Sequence, residues 1–219
     1  MKALAIDSAV TCITLAACNQ QARASVTLDI GMRQSERIVP AIEYVLGQAE
    51  LRPQELDFIA LSGGPGSFTG LRLGFAAAKG LQLSTGCPVY AIPTLEAQAL
   101  PYSAWPGLVL STIDAKKERF YVQWFSKGKA LTAPLDLAVA EIVARIKDYD
   151  NILIVGADKD LLHDRLEPLT LHRFPFLTST TSDALLQLGL KAFEDGNKGL
   201  EPHEGPFYIR KSEAEENLG

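Results

Sequence analysis

The sequence is poor in histidine and cysteine, the residue types that most often build metal sites and nucleophilic centres. Each occurs three times among 219 residues. His163, His172 and His203 include no pair at i, i+4 spacing, and no two cysteines form a Cys-x-x-Cys motif. We therefore expect no metal site built by this chain alone and no Cys–His or Ser–His hydrolase centre. Cysteines that form no motif are typical of reduced thiols in the cytoplasm.

The sequence also lacks an excess of basic residues and a long hydrophobic run. The formal net charge is −5 at pH 7, whereas a nucleic-acid-binding domain that acts alone normally carries a broad basic face. No apolar stretch approaches the roughly 20 residues of a membrane helix. The first ten residues, MKALAIDSAV, do not follow the layout of a signal peptide. We predict a cytoplasmic protein without membrane association.

Strand patterns alternate with helix patterns along the chain, and the two halves begin alike. Residues 2–6 form an apolar strand that leads into Asp7 and is followed by a return strand. Residues 108–113 lead into Asp114 in the same way. In each half a later apolar strand then runs into a glycine. The pattern indicates an internal repeat of two α/β units.

Pro101 and Pro106 interrupt the pattern between the halves and mark the expected boundary. We predict an N-terminal lobe over residues 1–102, which binds the partner, and a C-terminal lobe over residues 103–219. The predicted fold class is α/β, with two lobes of mixed sheet flanked by helices. This is the architecture of the actin, hexokinase and heat-shock ATPase superfamily.

Two helix patterns follow each other in the first half. In residues 35–49, Ser35 is the expected N-cap and Ile38, Ile42 and Val45 lie on one apolar stripe. The second pattern covers the residues after the glycine-rich loop that begins at residue 63.

The second helix pattern, residues 69–84, has small residues on one side, namely Gly70, Gly74, Ala77 and Ala78. Glycine in a helix interior costs about 1 kcal/mol relative to alanine, so we expect another element to approach this side closely. That element is either the chain's own sheet or a helix of a second chain. The pattern does not favour one over the other.

The loop before this helix, residues 63–70, reads GGPGSFTG. Backbone N–H groups at such a helix N-terminus suit an anion. The loop is not a P-loop, because the Lys-Ser/Thr pair is absent, and Ser67 is not flanked by the glycines of a nucleophile elbow. A rigid structural turn is the interpretation that we favour for the loop, and anion contact is the alternative. The candidate contacts to a nucleotide or anion are Asp7, Gly64, Gly66, Ser67 and Thr69.

Each hairpin carries an aspartate at the end of its first strand. In the ATPase superfamily such aspartates handle Mg²⁺ and phosphate, and Lys116, Lys117 and Arg119 follow Asp114 where a phosphate would lie. Aspartate and lysine are also ordinary turn residues. A solvated loop is the interpretation that we favour here.

Four segments spread over nearly the whole chain carry a family resemblance. They are residues 4–8 (LAIDS), 64–72 (GPGSFTGLR) with Gly74, 113–115 (IDA) with Tyr121, and 206–210 (PFYIR) with Ala214 and Glu215. Their order and spacing resemble the bacterial TsaB family of tRNA threonylcarbamoyladenosine biosynthesis proteins, a glycoprotease-like family. The resemblance implies a non-catalytic scaffold subunit on the actin/hexokinase fold.

The resemblance also implies partners. In that family the catalytic paralogue TsaD transfers a threonylcarbamoyl group to N6 of adenosine 37 in tRNAs that read codons beginning with A. TsaB forms a heterodimer with TsaD, a small ATPase called TsaE joins them, and TsaB forms homodimers when the partner is absent. The chain would then meet tRNA only through the complex. It would hold no cofactor alone, and ATP or ADP with Mg²⁺ is a candidate at the complex interface.

The catalytic paralogues hold a metal through an HxxxH pair, and the corresponding residues 32–40 contain no histidine. This agrees with the histidine census. Gln34 stands where members of the family often have histidine. We infer no loss of function from that difference, because a partner surface tolerates it.

The resemblance places the partner on the two helices of the first lobe. The expected interface residues are Ile38, Ile42, Leu46, Gly70, Gly74, Ala77 and Ala78, with the first three expected to be exposed. The alternatives are an ATP-dependent small-molecule kinase or ATPase of the same fold and, less favoured, a peptidase. A kinase needs an adenosine site in the second lobe, for which residues 156–158 (GAD) are the candidate.

Overall fold

The computed structural model describes residues 1–166, 171–172 and 181–210. Its strands are β1 (Ala3–Asp7), β2 (Ile13–Cys18), β3 (Arg23–Leu28), β4 (Phe58–Gly64), β5 (Val89–Pro93), β6 (Leu108–Asp114), β7 (Arg119–Ser126), β8 (Lys129–Ala130), β9 (Leu135–Ala138), β10 (Ile152–Val155) and β11 (Leu171–His172). Its α-helices are α1 (Gln34–Gln48), α2 (Phe68–Thr85), α3 (Thr94–Ala99), α4 (Val139–Ile146), α5 (Lys159–His163) and α6 (Thr181–Glu194). Short 3-10 turns lie at Gly31–Arg33, Pro53–Glu55 and Leu100–Tyr102.

The first of two compact units comprises Met1–Thr94 and Ser179–Phe207. Its five-stranded sheet has the order β3-β2-β1-β4-β5. The first three strands of the chain are antiparallel, whereas β1, β4 and β5 are parallel. Every residue of β1, β2 and β4 is buried, which requires cover on both faces of the sheet. In β3, at the edge, exposed and half-buried residues alternate.

Helices cover both faces of this sheet. Because alternate residues of a strand point to opposite faces, β4 divides its side chains between two layers. Ile59 and Leu61 pack into a core cluster with α1 and α2, while Phe58 and Ala60 face α6. A methyl group added at Gly189 of α6 would lie 2.6 Å from Ala60 Cβ and 2.8 Å from a ring carbon of Phe58. The helix therefore approaches the sheet as closely as glycine permits.

The second unit comprises Leu95–Thr178 and Tyr208–Gly219. Its sheet has the order β11-β10-β6-β7-β8, and β9 also pairs with β7. Strand β6 is antiparallel to β7 and parallel to β10, as β1 is antiparallel to β2 and parallel to β4. Ile142 of α4 and Leu162 of α5 pack with β6 and β10 in its main core cluster. The predicted repeat and the predicted α/β class of two mixed sheets flanked by helices are confirmed.

The predicted contiguous division into residues 1–102 and 103–219 is wrong for the late helix. Helix α6 belongs to the first unit, because it packs on β1 and β4 of the first sheet and buries Ala184 and Leu185 there. The chain therefore returns to the first unit after completing most of the second. Residues 211–219, with Ala214 and Glu215 of the family signature, lie outside the described residues.

Helix α1 begins one residue before the expected cap. Arg33 occupies the N-cap position, where no side chain caps the helix, because the 3-10 turn Gly31–Arg33 runs directly into Gln34. Ser35 therefore lies inside the first helical turn. Within the described ranges no helix combines the length and hydropathy that a bilayer crossing requires.

Candidate functional site

The glycine-rich loop packs on the turn between β1 and β2. The N–H of Ser67 donates to the carbonyl of Ala9 at 2.6 Å, and a methyl group at Gly66 would lie 2.5 Å from the same oxygen. Ser67 also caps α2, since its Oγ accepts a 3.3 Å hydrogen bond from the N–H of Gly70. The loop is thus a fixed turn whose small residues allow two backbones to meet.

Ser8 extends this contact along α2. Its Oγ donates to the carbonyl of Gly70 at 2.7 Å, and its N–H donates to Ser62 Oγ at 3.3 Å. A side chain at Gly70 would overlap the carbonyl oxygen of Ser8, and one at Gly74 would overlap Ser8 Oγ. The close approach predicted for this side of the helix is therefore made by the chain's own β1–β2 turn.

Asp7 lies beneath the same turn and is 1% exposed. Its Oδ1 accepts a 3.1 Å hydrogen bond from the N–H of Ala9, and its carboxylate also bonds to the side chains of Ser62 and Thr181. Burial raises the pKa of Asp7, and these three hydrogen bonds oppose that rise. The carboxylate is engaged within the unit and holds the turn, β4 and the start of α6 together.

The five candidate anion contacts fall into two groups. Asp7 and Gly64 are buried, and the N–H of Gly64 donates to Thr94 Oγ1 at 3.1 Å. Ser67 and Thr69 are exposed and Gly66 is half-buried. Burial argues against ligand contact by Asp7 and Gly64, whereas an anion could reach Ser67 and Thr69 from solvent.

Helix α1 turns its apolar stripe inward. Ile38, Ile42 and Leu46 are 1%, 5% and 3% exposed and belong to the core cluster of the first unit. The expectation that they are exposed is wrong, because the apolar stripe of an amphipathic helix covers its own sheet. Ala78 of α2 is likewise fully buried, and Ala77 is half-buried against the same cluster. An interface on these helices must use their other sides.

The solvent-facing sides of α1 and α2 carry both large apolar residues and small residues. Val39 and Tyr44 of α1 are about half exposed, and Leu83 of α2 is 86% exposed. Gly47 and Gly80 lie in the same two helices and are exposed, and apart from their own helix backbone no atom of the described residues lies within 4 Å of an added methyl group. Because α1 and α2 pack side by side, we define these five residues, with the exposed Ala76, as the helix face.

Gln34 secures the beginning of α1. Its Nε2 donates to the carbonyls of Val10 and Thr11 at 3.2 and 2.5 Å, so α1 and the glycine-rich loop both bind the β1–β2 turn. A side-chain amide makes these two bonds in this chain. Gln34 therefore has a structural role that sequence reasoning did not find.

The second hairpin gathers charged residues within the second unit. Lys116 Nζ donates to Asp114 Oδ2 at 2.7 Å, and the N–H of Asp114 donates to Asp158 Oδ2 at 2.8 Å. The hydrogen bond to Asp114 raises the pKa of Lys116. Lys116, Lys117 and Glu118 have φ of 61°, 53° and 59°, a conformation that costs non-glycine residues about 1–2 kcal/mol each.

Asp136 and Arg210 stabilise this hairpin from its side. Arg210 donates to both carboxylate oxygens of Asp136 and to the carbonyl of Ala115, the latter at 3.1 Å. Arg119 Nε donates to Asp136 Oδ1 at 2.9 Å. Sequence reasoning quoted Arg210 within a motif but missed Asp136, because an aspartate in a short strand carries no local signal.

Residues 156–158 do not form an open glycine-rich site. Gly156 has φ of 109°, and a side chain there would overlap the carbonyl oxygen of Thr112. Asp158 Oδ2 accepts the hydrogen bond from the N–H of Asp114. This candidate adenosine segment is therefore a packing contact between β6 and the residues after β10. Among the described residues, no group of three histidine, cysteine, aspartate or glutamate side chains is arranged to hold a metal ion.

The duplicated sheet order defines a two-unit α/β protein, and a solved structure shares its fold. YeaZ from Pseudomonas aeruginosa superposes with a TM-score of 0.79 and 22% identity over 95% of this chain and 99% of that chain. A family model described as TsaD, tRNA N6-adenosine threonylcarbamoyltransferase, matches residues 31–193. That match covers well over half of the chain. The chain belongs to this family. Together with the relatives described next, this match confirms the predicted resemblance to tRNA threonylcarbamoyladenosine biosynthesis proteins.

Relatives named as TsaB, tRNA threonylcarbamoyladenosine biosynthesis protein, support this assignment. The Bacillus subtilis protein is 29% identical over 138 residues, which cover 61% of this chain and 60% of that protein. The Escherichia coli K12 protein is 31% identical over 126 residues, or 55% of this chain and 53% of that protein. The matched part of the chain thus spans between half and two thirds of the length of these relatives.

Proposed function

We propose that this chain is a non-catalytic subunit in the biosynthesis of threonylcarbamoyladenosine at position 37 of tRNAs that read codons beginning with A. In this role it binds and supports a TsaD-like catalytic partner. The names of the relatives and the family match support the pathway, and the helix face supports the binding role. A TsaE-like ATPase would join the assembly, and tRNA would meet this chain only within the complex, consistent with the net charge of −5.

The observation that carries the binding role is the helix face. Leu83 exposes most of its side chain to water, at a cost that burial against a partner would remove. Among the described residues no packing contact accounts for Gly47 or Gly80, although glycine in a helix interior costs about 1 kcal/mol relative to alanine. Helices of a partner could approach closely at such positions. This assignment replaces the buried residues of the original interface prediction.

The binding test uses substitutions on the helix face. Ala76→Arg and Leu83→Glu place charges on the proposed interface without touching the core, so each should leave the chain folded and abolish its co-elution with the TsaD-like partner. Leu131→Glu is the matched control, because Leu131 is 52% exposed in the second unit. Retained complex formation with both helix-face variants would contradict the assignment.

The catalytic test measures threonylcarbamoyl incorporation into tRNA. We expect none with this chain alone, turnover when the TsaD-like and TsaE-like partners are added, and loss of that turnover with Leu83→Glu. Threonylcarbamoyl transfer, ATP hydrolysis or peptide cleavage by the isolated chain would overturn the non-catalytic role.

The nucleotide proposal concerns the complex only. Ser67 and Thr69 face solvent beside the N-terminus of α2, where backbone N–H groups and the helix dipole favour an anion. Thr69→Glu should weaken ATP or ADP binding to the complex, measured by calorimetry, through charge repulsion. Unchanged nucleotide affinity in a complex that still assembles would exclude this contact.

A further inference from the structure

A cavity of about 360 Å³ lies in the first unit, between α6 and the turn that joins β2 to β3. One wall is formed by residues 18–23. The other lining residues are Met1 and, on α6, Asp183, Leu186, Gln187 and Leu190. The volume falls within the range of about 300–1,000 Å³ that is typical of small-molecule sites in proteins. The cavity shares no residue with the helix face or with the glycine-rich loop.

Hydrogen bonds and close packing fix both walls of this cavity. Asn19 closes the β2–β3 turn, because its Oδ1 accepts from the N–H groups of Gln21 and Ala22, each at 2.6 Å. Its Nδ2 donates to the carbonyl of Ala49 at 2.8 Å, which ties the turn to the end of α1. Helix α6 is held on the sheet by the close contact at Gly189. Fixed walls favour ligand binding, because little conformational entropy is lost when a ligand enters.

Part of the cavity lining is apolar. Leu186 and Cys18 are buried, and Leu190 and Ala22 are half-buried beside them. Burial raises the pKa of the Cys18 thiol, which therefore lines the cavity as a neutral group. A hydroxyl or a charge placed against these side chains would lose its hydrogen bonds to water. This part of the cavity consequently favours an apolar group of a ligand.

Two side chains of opposite charge line the same cavity. Arg23 of β3 donates through Nη2 to Asp183 Oδ1 in the first turn of α6. The two side chains are 52% and 23% exposed, and an ion pair of such exposure contributes little to the stability of a fold. The bond uses one of the five N–H donors of the guanidinium group and one of the two carboxylate oxygens. A ligand with one anionic and one cationic group can therefore bond to both side chains.

We propose that this cavity binds a free α-amino acid with an apolar side chain, such as leucine. The carboxylate of the ligand accepts from Arg23, its ammonium group donates to Asp183, and its side chain packs against Leu186 and Leu190. One carbon atom separates the two charged groups of an α-amino acid, which matches two protein side chains that are in hydrogen-bond contact. Asp183 would repel a ligand with a carboxylate alone, and Arg23 would repel one with an ammonium group alone.

The first experiment titrates the full chain with leucine and follows the backbone amide signals by NMR. We expect saturable shifts in residues 18–23 and 183–190, with a dissociation constant of about 0.1–10 mM, since the ligand is small and both charges are partly exposed. Leucinamide lacks the carboxylate, N-acetyl-leucine lacks the ammonium group, and glycine lacks the apolar side chain. Each of the three should bind at least about tenfold more weakly than leucine.

The second experiment removes each charge of the ion pair. Arg23→Gln and Asp183→Asn should each weaken leucine binding at least about tenfold, while circular dichroism shows a folded chain. Arg23→Gln should also bind leucine and leucinamide about equally, an effect that a purely structural role of Arg23 would not produce. Arg37→Gln is the matched control and should bind leucine like the wild type, because Arg37 is exposed on α1, which covers the opposite face of the sheet from α6.

Three results would each overturn the proposal. The first is the absence of saturable leucine binding to the wild-type chain. The second is binding of leucinamide and N-acetyl-leucine as tightly as leucine, which would exclude recognition of both charges. The third is equal leucine affinity of Arg23→Gln and Arg37→Gln, which would exclude Arg23. Leu83→Glu should retain leucine binding, because it alters only the helix face, so the amino-acid site and the proposed partner interface are tested separately.

Discussion

Ser8 Oγ occupies the space that a side chain at Gly74 would need, and the same hydroxyl donates to the carbonyl of Gly70. One serine in the β1–β2 turn thus accounts for two glycines of α2. A small-residue stripe on a helix shows that something approaches closely, but it does not show whether that element belongs to the same chain. The glycines of α1 and α2 that meet no other part of the described chain, Gly47 and Gly80, are the informative ones for a partner.

The first prediction compares two glycines of α2. Gly74→Ala should lower the free energy of unfolding by about 1–3 kcal/mol, because the added methyl group overlaps Ser8 Oγ in a closed turn. Gly80→Ala should raise it by about 0.5–1 kcal/mol, since the methyl group meets no atom and alanine favours the helix. Urea denaturation of both variants measures these changes.

This comparison also tests the expectation, implied by the family resemblance, that Gly74 lies at the partner interface. The structure argues against it, since the position is internal. Equal stability of Gly74→Ala and the wild type would show that the β1–β2 turn moves to accommodate the added methyl group. The helix would then be free to present Gly74 to a partner.

Periodicity and turn chemistry predict the strands, the two central helices and the repeat, because each depends on residues that are close in sequence. Two features do not follow from local patterns. The return of α6 to the first sheet depends on Gly189 meeting Phe58 and Ala60, which are far away in the chain. Likewise, the direction of the α1 stripe was misjudged, because the resemblance placed a partner on residues that the chain's own core requires.

The second prediction concerns the buried carboxylate of Asp7. Burial raises its pKa above the ordinary value of 3.8, against the hydrogen bonds of Ala9, Ser62 and Thr181. Ionisation therefore disfavours the folded state, and this contribution to stability declines as pH rises from 3.8 toward the folded-state pKa. Asp7→Asn cannot ionise and can still accept from the N–H of Ala9.

The free energy of unfolding of Asp7→Asn should therefore increase relative to that of the wild type as pH rises through that interval, by no more than about 1.4 kcal/mol per pH unit. Urea denaturation of both proteins at several pH values measures the difference, from which all other titrating groups largely cancel. A difference that stays constant across the interval would show that Asp7 has its ordinary pKa. Its burial would then be compensated by the hydrogen bonds alone.

The third prediction concerns Arg210 and Asp136. Burial alone would raise the pKa of Asp136, but the hydrogen bonds from Arg210 and Arg119 outweigh it and hold the pKa below its ordinary value. The stability from this pair is therefore fully present above the ordinary pKa of 3.8 and is lost as pH falls through the folded-state pKa. Both side chains are at least three-quarters buried, so solvent screens the pair only in part.

Arg210→Ala should lower the free energy of unfolding by about 1–3 kcal/mol at neutral pH, and the deficit should shrink in acid as Asp136 protonates in the wild type. Arg210→Lys should recover only part of the loss, because an ammonium group cannot bond both carboxylate oxygens and the Ala115 carbonyl in the same planar geometry. Arg145→Ala is the control, since the Arg145 side chain donates to the Glu141 carbonyl in its own helix. A deficit for Arg210→Ala that is the same at acid and neutral pH would mean that Arg210 acts through packing. The hairpin that carries Asp114 and Lys116 would then owe its position to contacts other than this ion pair.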